Sequence, residues 1–190
     1  MSIRVIAGRL KRRELKTPRG MATRPTGARV REAVFSILGD VSDLDVLDLY
    51  AGSGALGIEA LSRGAAHATF VENERHAIAC IRDNIALLGL GAQSDLLVLP
   101  VERAPRVLAT NTRRYALVFC DPPWSRVNEA SAALAQFASL LTPAARVVLE
   151  HPAQDSPSIV GFTREDERAW GDTGISIYYA STDRSADTAR

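Results

Sequence analysis

Two short runs in this 190-residue chain have the residue types and spacing for chemistry. The first is Cys120-Asp121-Pro122-Pro123-Trp124. Consecutive prolines fix φ and cannot extend a helix, so Pro122 and Pro123 make a rigid platform. On it Asp121 presents a carboxylate, the Pro122 carbonyl lacks a ladder partner and Trp124 offers a flat aromatic face. An amino group on an aromatic base is a poor nucleophile, because its lone pair is delocalised into the ring. Two acceptors aimed at its hydrogens orient it and favour a pyramidal nitrogen as positive charge develops. An aromatic neighbour stacks on the base, and the platform holds the nitrogen in line for transfer. The alternative is a loop around a buried tryptophan.

The second run is Asp48-Leu-Tyr50-Ala51-Gly52-Ser53-Gly54-Ala-Leu-Gly57, where an apolar segment, DVLDLY, meets a helical pattern. Such a loop lets a ligand approach the backbone and exposes helix N-terminal amides to it. Glu72, with Asn73 beside it, stands twenty residues after Gly52, where an acid accepts the hydroxyls of an adenosine ribose. Gly52, Gly54 and Gly57 also spell G-x-G-x-x-G, so a nicotinamide cofactor competes, as does a tight turn with no ligand. Asp48 favours another nucleoside. An anion four residues before the first glycine suits a pyrophosphate poorly, but it can pair with an ammonium. S-adenosylmethionine has no phosphate and a cationic sulfonium, so an acidic, glycine-lined crevice suits it. Tyr50 can face that cation with its ring or simply pack.

Several elements must position these runs. Strands are expected at DVLDLY, HATFVE, DLLVLP, YALVFC and ARVVLE, with helices between them. Residues 74–88 form a helix with Ile78, Ile81, Ile85 and Leu88 on one side and Gly89 beyond its end. Another helix carries Ala130, Leu134, Phe137 and Leu141 and stops at Pro143. SIVGFTRE and ISIYYA close the fold as extended stretches. Continuously apolar strands separated by helices indicate a doubly wound α/β domain with a mostly parallel sheet. Ligands then bind at the carboxyl ends of the strands, where both runs fall. Before this body, IRVIAG and RRELKT read as a hairpin, and Thr26 as the N-cap of a helix bearing Val30, Val34, Ile37 and Leu38. The expected division is a basic extension over 1–25, a catalytic body over 26–180 and a frayed polar tail over 181–190.

Charge separates the extension from the body. Residues 1–31 carry ten basic side chains and one acid, a net of +9, whereas the whole chain is +1. Arg4, Arg9, Lys11, Arg12, Arg13, Lys16, Arg24 and Arg29 are therefore candidate contacts to nucleic-acid phosphates. At 46% hydrophobic and 24% charged residues, the composition suits one soluble domain. No apolar run reaches the roughly 20 residues of a membrane span, and MSIRVIAGRLKRR has no signal-peptide core, so a cytoplasmic protein is expected. Cys80 and Cys120 are expected as reduced thiols in apolar surroundings. His67, His76 and His151 have no metal-ligand spacing, and no metal is expected. Glu150-His151-Pro152 falls at the crevice edge, within reach of a substrate.

The combination of Asp48–Gly57 with Asp121–Trp124 resembles the class I S-adenosylmethionine-dependent amino-methyltransferases, whose signature is [DN]-P-P-[aromatic]. RVIAGRLKRRELKTP, RPTGARVREAVFSIL, LDLYAGSGALGIEALSRGA and GDTGISIYYA are further similar to the RsmD family of bacterial 16S rRNA guanine-N2 methyltransferases, to about Ala180. The resemblance implies a Rossmann-like sheet of seven strands, the last antiparallel, and one bound S-adenosylmethionine, released as S-adenosylhomocysteine. It implies one target, guanine 966 of 16S rRNA in the usual bacterial numbering, within an assembled or partly assembled small subunit. Glu72 then holds the ribose, Asp121 to Trp124 the guanine, and Val101 and Glu102 border the adenine, although LPVERA departs from the family's N-A pattern. Arg24, Pro25, Thr26 and Arg29 approach the donor or the RNA. The competing readings are a DNA-base or protein-glutamine amino-methyltransferase, a nicotinamide-dependent oxidoreductase and a non-catalytic RNA-binding module. A monomer is expected.

Overall fold

The computed structural model describes residues 3–18 and 27–180. A hairpin of β1 (Ile3–Arg4) and β2 (Glu14–Leu15) precedes helix α1 (Ala28–Leu38). The body then alternates through β3 (Asp45–Leu49), α2 (Ala55–Ser62), β4 (His67–Glu72), α3 (Arg75–Leu88), β5 (Ser94–Val98), α4 (Ala104–Leu108), β6 (Tyr115–Cys120) and α5 (Val127–Leu134). It ends in β7 (Leu141–Pro152), β8 (Phe162–Trp170) and β9 (Thr173–Ala180). Seven of these strands form one sheet in the order β5-β4-β3-β6-β7-β9-β8. The first five are parallel, and β9 runs antiparallel to both β7 and β8. This is the doubly wound sheet with an antiparallel last strand that the sequence led us to expect.

Alternation along the strands sorts side chains between two cores. Val46, Phe70, Leu117, Phe119 and Val148 face α1, α2, α3 and the hairpin. Leu47, Leu49, Val71, Val118 and Leu149 face α4 and α5. Burial on both faces explains why these strands read as unbroken apolar runs.

Local details depart from the sequence reading. Helix α1 has Gly27, not Thr26, as its N-cap residue, without a side-chain cap; Thr26 lies outside the described residues. The helix expected to run to Pro143 is α only over Val127–Leu134, then tightens to 3-10 over Ala135–Leu140. Pro143 instead lies inside β7. The register jumps from Tyr115↔Leu141 to Leu117↔Arg146, and this bulge accommodates a residue that has no N–H to donate. SIVGFTRE becomes a strand only from Phe162, after Gly161 at φ 80°.

The hairpin is anchored by polar groups buried on α2 and α3. Glu59, fully buried, accepts from the backbone amides of Ile6 at 2.7 Å and Ala7 at 2.9 Å, and from Arg63 Nε at 2.8 Å. Ser62 Oγ accepts from Leu10 N and donates to the Ala7 carbonyl. Glu59→Ala would strand these donors, at about 1–3 kcal/mol for each one left without a partner. The free energy of urea unfolding should fall by about 2 kcal/mol or more, and Glu59→Gln, which keeps an acceptor, should lose less. Equal stability of Glu59→Ala and the parent would mean that the hairpin is held elsewhere.

Candidate active site

The chain order of the sheet reverses between β3 and β6, which opens a crevice at their carboxyl ends. Leu49 and Cys120, the last residues of these strands, are paired in register, and Asp121 N donates to the Leu49 carbonyl at 3.4 Å. The glycine loop and the Asp121–Trp124 loop, seventy residues apart in sequence, therefore leave the sheet side by side.

The glycine loop is shaped by backbone that only a few residues adopt. Tyr50 has φ 56°, Gly52 has φ 58°, and Gly54 is the left-handed N-cap residue of α2. A Cβ on Gly52 would meet only the Tyr50 carbonyl oxygen at 3.9 Å, so this bend faces open space. Gly57 has the opposite surroundings: a Cβ there would lie 2.4 Å from the Phe70 ring, so this glycine serves close packing of α2 on β4. Ala51 N donates to the Val71 carbonyl, and the Ser53 carbonyl accepts from Asn84 Nδ2 at 2.9 Å.

Two buried carboxylates brace the loop. Glu72 Oε2 accepts from Gly52 N at 2.8 Å, and Oε1 accepts from Asn73 N and Glu74 N, each at 2.8 Å. Asp48 Oδ2 accepts from Gly57 N at 2.9 Å. Burial lifts the Asp48 carboxyl well above its ordinary range; the Gly57 N–H opposes that rise, and the nearby Asp121 and Glu72 charges add to it. Three acids thus converge on one crevice, and Asp48 resists ionising there. A bound cation would relieve that strain, whereas a pyrophosphate would add to it. The open bend at Gly52 and this acidic field fit a cationic nucleoside such as S-adenosylmethionine.

On the acceptor side, Pro122 is buried, Asp121 half-buried, and Pro123 and Trp124 exposed. Trp124 is 41% exposed, which leaves its ring available for stacking. Burial pushes the Cys120 thiol well above its ordinary value, with Asp121 and Asp48 adding to the effect, so it packs as a neutral thiol. Val101 is buried, and Glu102 stands at the surface with Oε1 3.5 Å from Tyr50 Oη. His151 is not open to a substrate. It is buried, with its ring nitrogens on the Pro152 carbonyl and Ser176 Oγ. Among the described residues no cluster of three or more His, Cys, Asp or Glu could hold a metal, and no helix is long and apolar enough to cross a membrane.

The basic candidates fall into two groups. Arg4 pairs with Glu14, Lys16 with Asp83, and Arg9 bonds the Gln93 side chain. Arg13 reaches the Leu87 carbonyl only at 3.4 Å. Lys11, Arg12 and Arg29 are exposed and carry no ion pair among the described residues. Arg24 and Pro25, like Thr26, lie outside the described residues.

Sequence reasoning missed three positioning residues. Asn84, fully buried, exchanges hydrogen bonds with the Lys16 backbone and donates to the Ser53 carbonyl, tying the hairpin's exit to the glycine loop. Its signal was a polar residue on the apolar stripe between Ile81 and Leu88. Glu59 is likewise a lone acid between Ile58 and Ala60. Arg126, which follows the Asp-Pro-Pro-Trp run, reaches Glu102 at 2.7 Å, and nothing local announces that contact.

The family model described as Conserved hypothetical protein 95 matches residues 3–179. YlbH of Bacillus subtilis, named as a candidate rRNA methyltransferase, is 36% identical over 93% of this chain and 98% of its own length. Ribosomal RNA small subunit methyltransferase D of Escherichia coli is 41% identical over 65% of this chain and 61% of its own. The solved structure of the methyltransferase-like protein YhhF from Escherichia coli superposes with a TM-score of 0.78 at 31% identity, covering 95% of this chain and 99% of that one.

Asp48 gives a direct test of the crevice. Its raised carboxyl takes up a proton on folding, so it disfavours the fold increasingly as pH climbs from its unfolded value, near 3.9, through its native value. Asp48→Asn keeps an acceptor for Gly57 N and removes the charge. Thermal scans from pH 4 to 8 should show the variant at least as stable as the parent and less sensitive to rising pH. Calorimetry should show weaker S-adenosylmethionine binding. A variant that matches the parent at pH 4 and falls below it as pH rises would make the charge itself the structural brace.

Proposed function

This chain belongs to the Conserved hypothetical protein 95 family, the RsmD family of rRNA methyltransferases, and on that premise we propose that it methylates the exocyclic N2 of one guanine in 16S rRNA. The proposed target is guanine 966 in the usual bacterial numbering, presented by the small ribosomal subunit or an assembly intermediate. One observation carries the reading. The Asp121–Trp124 loop and the glycine loop leave adjacent, register-paired strands at the point where the sheet reverses. A donor held by one loop and an amine held by the other therefore meet.

When bound, S-adenosylmethionine supplies an electrophilic methyl group on a cationic sulfonium. Glu72, Tyr50, Ala51, Gly52, Ser53, Gly54 and Asn73 form its nucleoside side, with Val101 and Glu102 bordering the adenine. Glu72 already accepts three amides, and a carboxylate has about four lone-pair sites, so capacity remains for a ribose hydroxyl. Asp48 lies buried behind the loop, where a bound cation favours its ionised form.

The Asp121 carboxylate and the Pro122 carbonyl accept the two hydrogens of the guanine amine and localise its lone pair toward the donor. Trp124 stacks on the base, and Pro123 keeps the two acceptors in fixed relation. Positive charge that grows on the nitrogen is stabilised by Asp121, which is also placed to receive the released proton. In the basic extension and the first turn of α1, Lys11, Arg12 and Arg29 are exposed cations without an ion pair among the described residues and meet the RNA phosphates, with Arg24 as a further contact. The protein acts as a monomer in this reading.

The decisive experiment incubates the protein with methyl-labelled S-adenosylmethionine and small subunits that lack the modification, then digests the RNA to nucleosides. Label should appear as N2-methylguanosine at a single position. Label on another nucleoside, on DNA or on a protein glutamine would overturn the assignment. In the same assay Asp121→Ala should lower turnover by about a hundredfold or more, the scale of a lost transition-state acceptor. Its donor affinity should change little. Near-normal turnover by a folded Asp121→Ala protein would remove Asp121 from the chemistry.

A further inference from the structure

We propose that Arg126 is a positioning residue that ties the Trp124 platform to the donor half of the crevice, so that donor and RNA strengthen each other's binding. The inference rests on the function proposed above. Arg126 closes the 3-10 turn Trp124–Arg126, its own amide donating to the Pro123 carbonyl at 2.7 Å. Its guanidinium then leaves that turn. Nη2 reaches Glu102 Oε1 at 2.7 Å, Nε reaches Glu129 Oε2 at 2.9 Å, and Cζ stands 5.8 Å from the centre of the Tyr50 ring. Tyr50 Oη is 3.5 Å from the same Glu102 oxygen. Segments following β3, β5 and β6 therefore meet on one planar cation.

The tie matters because Trp124 has no anchor of its own. No hydrogen bond or ring-ring contact among the described residues fixes its exposed indole, so the backbone turn sets its direction more than any polar contact does. That turn is held at its beginning by the Asp121 N–Leu49 O bond and at its end by Arg126. Tyr50 and Glu102 belong to the donor side. A ligand that settles Tyr50 and Glu102 also settles Arg126, and through it the ring on which the guanine stacks. By linkage, a base that settles Trp124 must tighten the donor by the same factor. Arg126 and Glu102 are each more than a third exposed, and pairs so exposed add little to stability. A contact that contributes little to the fold yet spans two ligand sites has its consequence in the coupling.

The test uses Arg126→Ala and Arg126→Lys in the full-length protein, with S-adenosylhomocysteine as donor-site probe and unmodified small subunits as RNA. In the parent, subunits should tighten S-adenosylhomocysteine binding by about fivefold or more. Arg126→Ala should bring that factor close to one, with donor affinity in the absence of RNA within about twofold of the parent. Arg126→Lys keeps the charge but loses the fork, and should fall between. The melting temperature should shift by no more than about 2 °C. In a Trp170→Phe background Trp124 is the sole tryptophan, and its fluorescence should respond to donor only while Arg126 is present. A parent without coupling, or an Arg126→Ala protein with the parent's coupling and fluorescence response, overturns the tie. Failure of the parent to methylate small-subunit RNA would instead overturn the functional reading beneath it.

Discussion

The carboxylate of Glu72 sets the geometry of two loops that the pairing of β3 with β4 brings side by side. Its two oxygens take the amides of Gly52, Asn73 and Glu74, so one buried side chain fixes both the bend of the glycine loop and the exit of β4 into α3. Burying a charge is costly unless its lone pairs are filled, and three short amide bonds fill most of them. In the proposed reaction the same carboxylate that braces the loop also accepts a ribose hydroxyl.

From that brace the molecule divides along its sheet. The loops after β3, β4 and β5 supply glycine backbone and acids, and the loop after β6 supplies acceptors and an aromatic ring. The hairpin belongs to the first half mechanically. Asn84 links its exit to the Ser53 carbonyl, and Glu59 and Ser62 hold its turn. The basic hairpin is therefore fixed to α2, α3 and the glycine loop. Arg4 and Lys16 are partly neutralised by Glu14 and Asp83, whereas Arg9, Lys11, Arg12 and Arg13 are exposed and carry no ion pair among the described residues.

Much of this was legible in the sequence, for identifiable reasons. HATFVE and YALVFC are strands over the very residues read, because strands buried on both faces must be apolar throughout. Asp48, Glu72 and Asp121, singled out by their spacing from the glycines and by the strand-end Asp-Pro-Pro-Trp run, lie on one crevice because strand ends in a parallel sheet converge on one edge. What escaped depends on partners distant in sequence. Glu59 and Asn84 look like interruptions of apolar helices until the hairpin's amides arrive, and Arg126 until Glu102 does. Pro143 read as a helix stop because proline ends helices, but here a bulge in β7 absorbs it. The Asp48 carboxylate expected to pair with an ammonium also accepts from the Gly57 amide, a contact nine residues away that spacing alone does not show.

A crystal structure of the protein with S-adenosylhomocysteine tests the central claim most directly. The ribose hydroxyls should lie on Glu72, the adenine beside Val101 and Glu102, and the sulfur should face the Asp121–Trp124 loop. A nucleoside bound away from Glu72, or with its sulfur turned from Asp121, would contradict it.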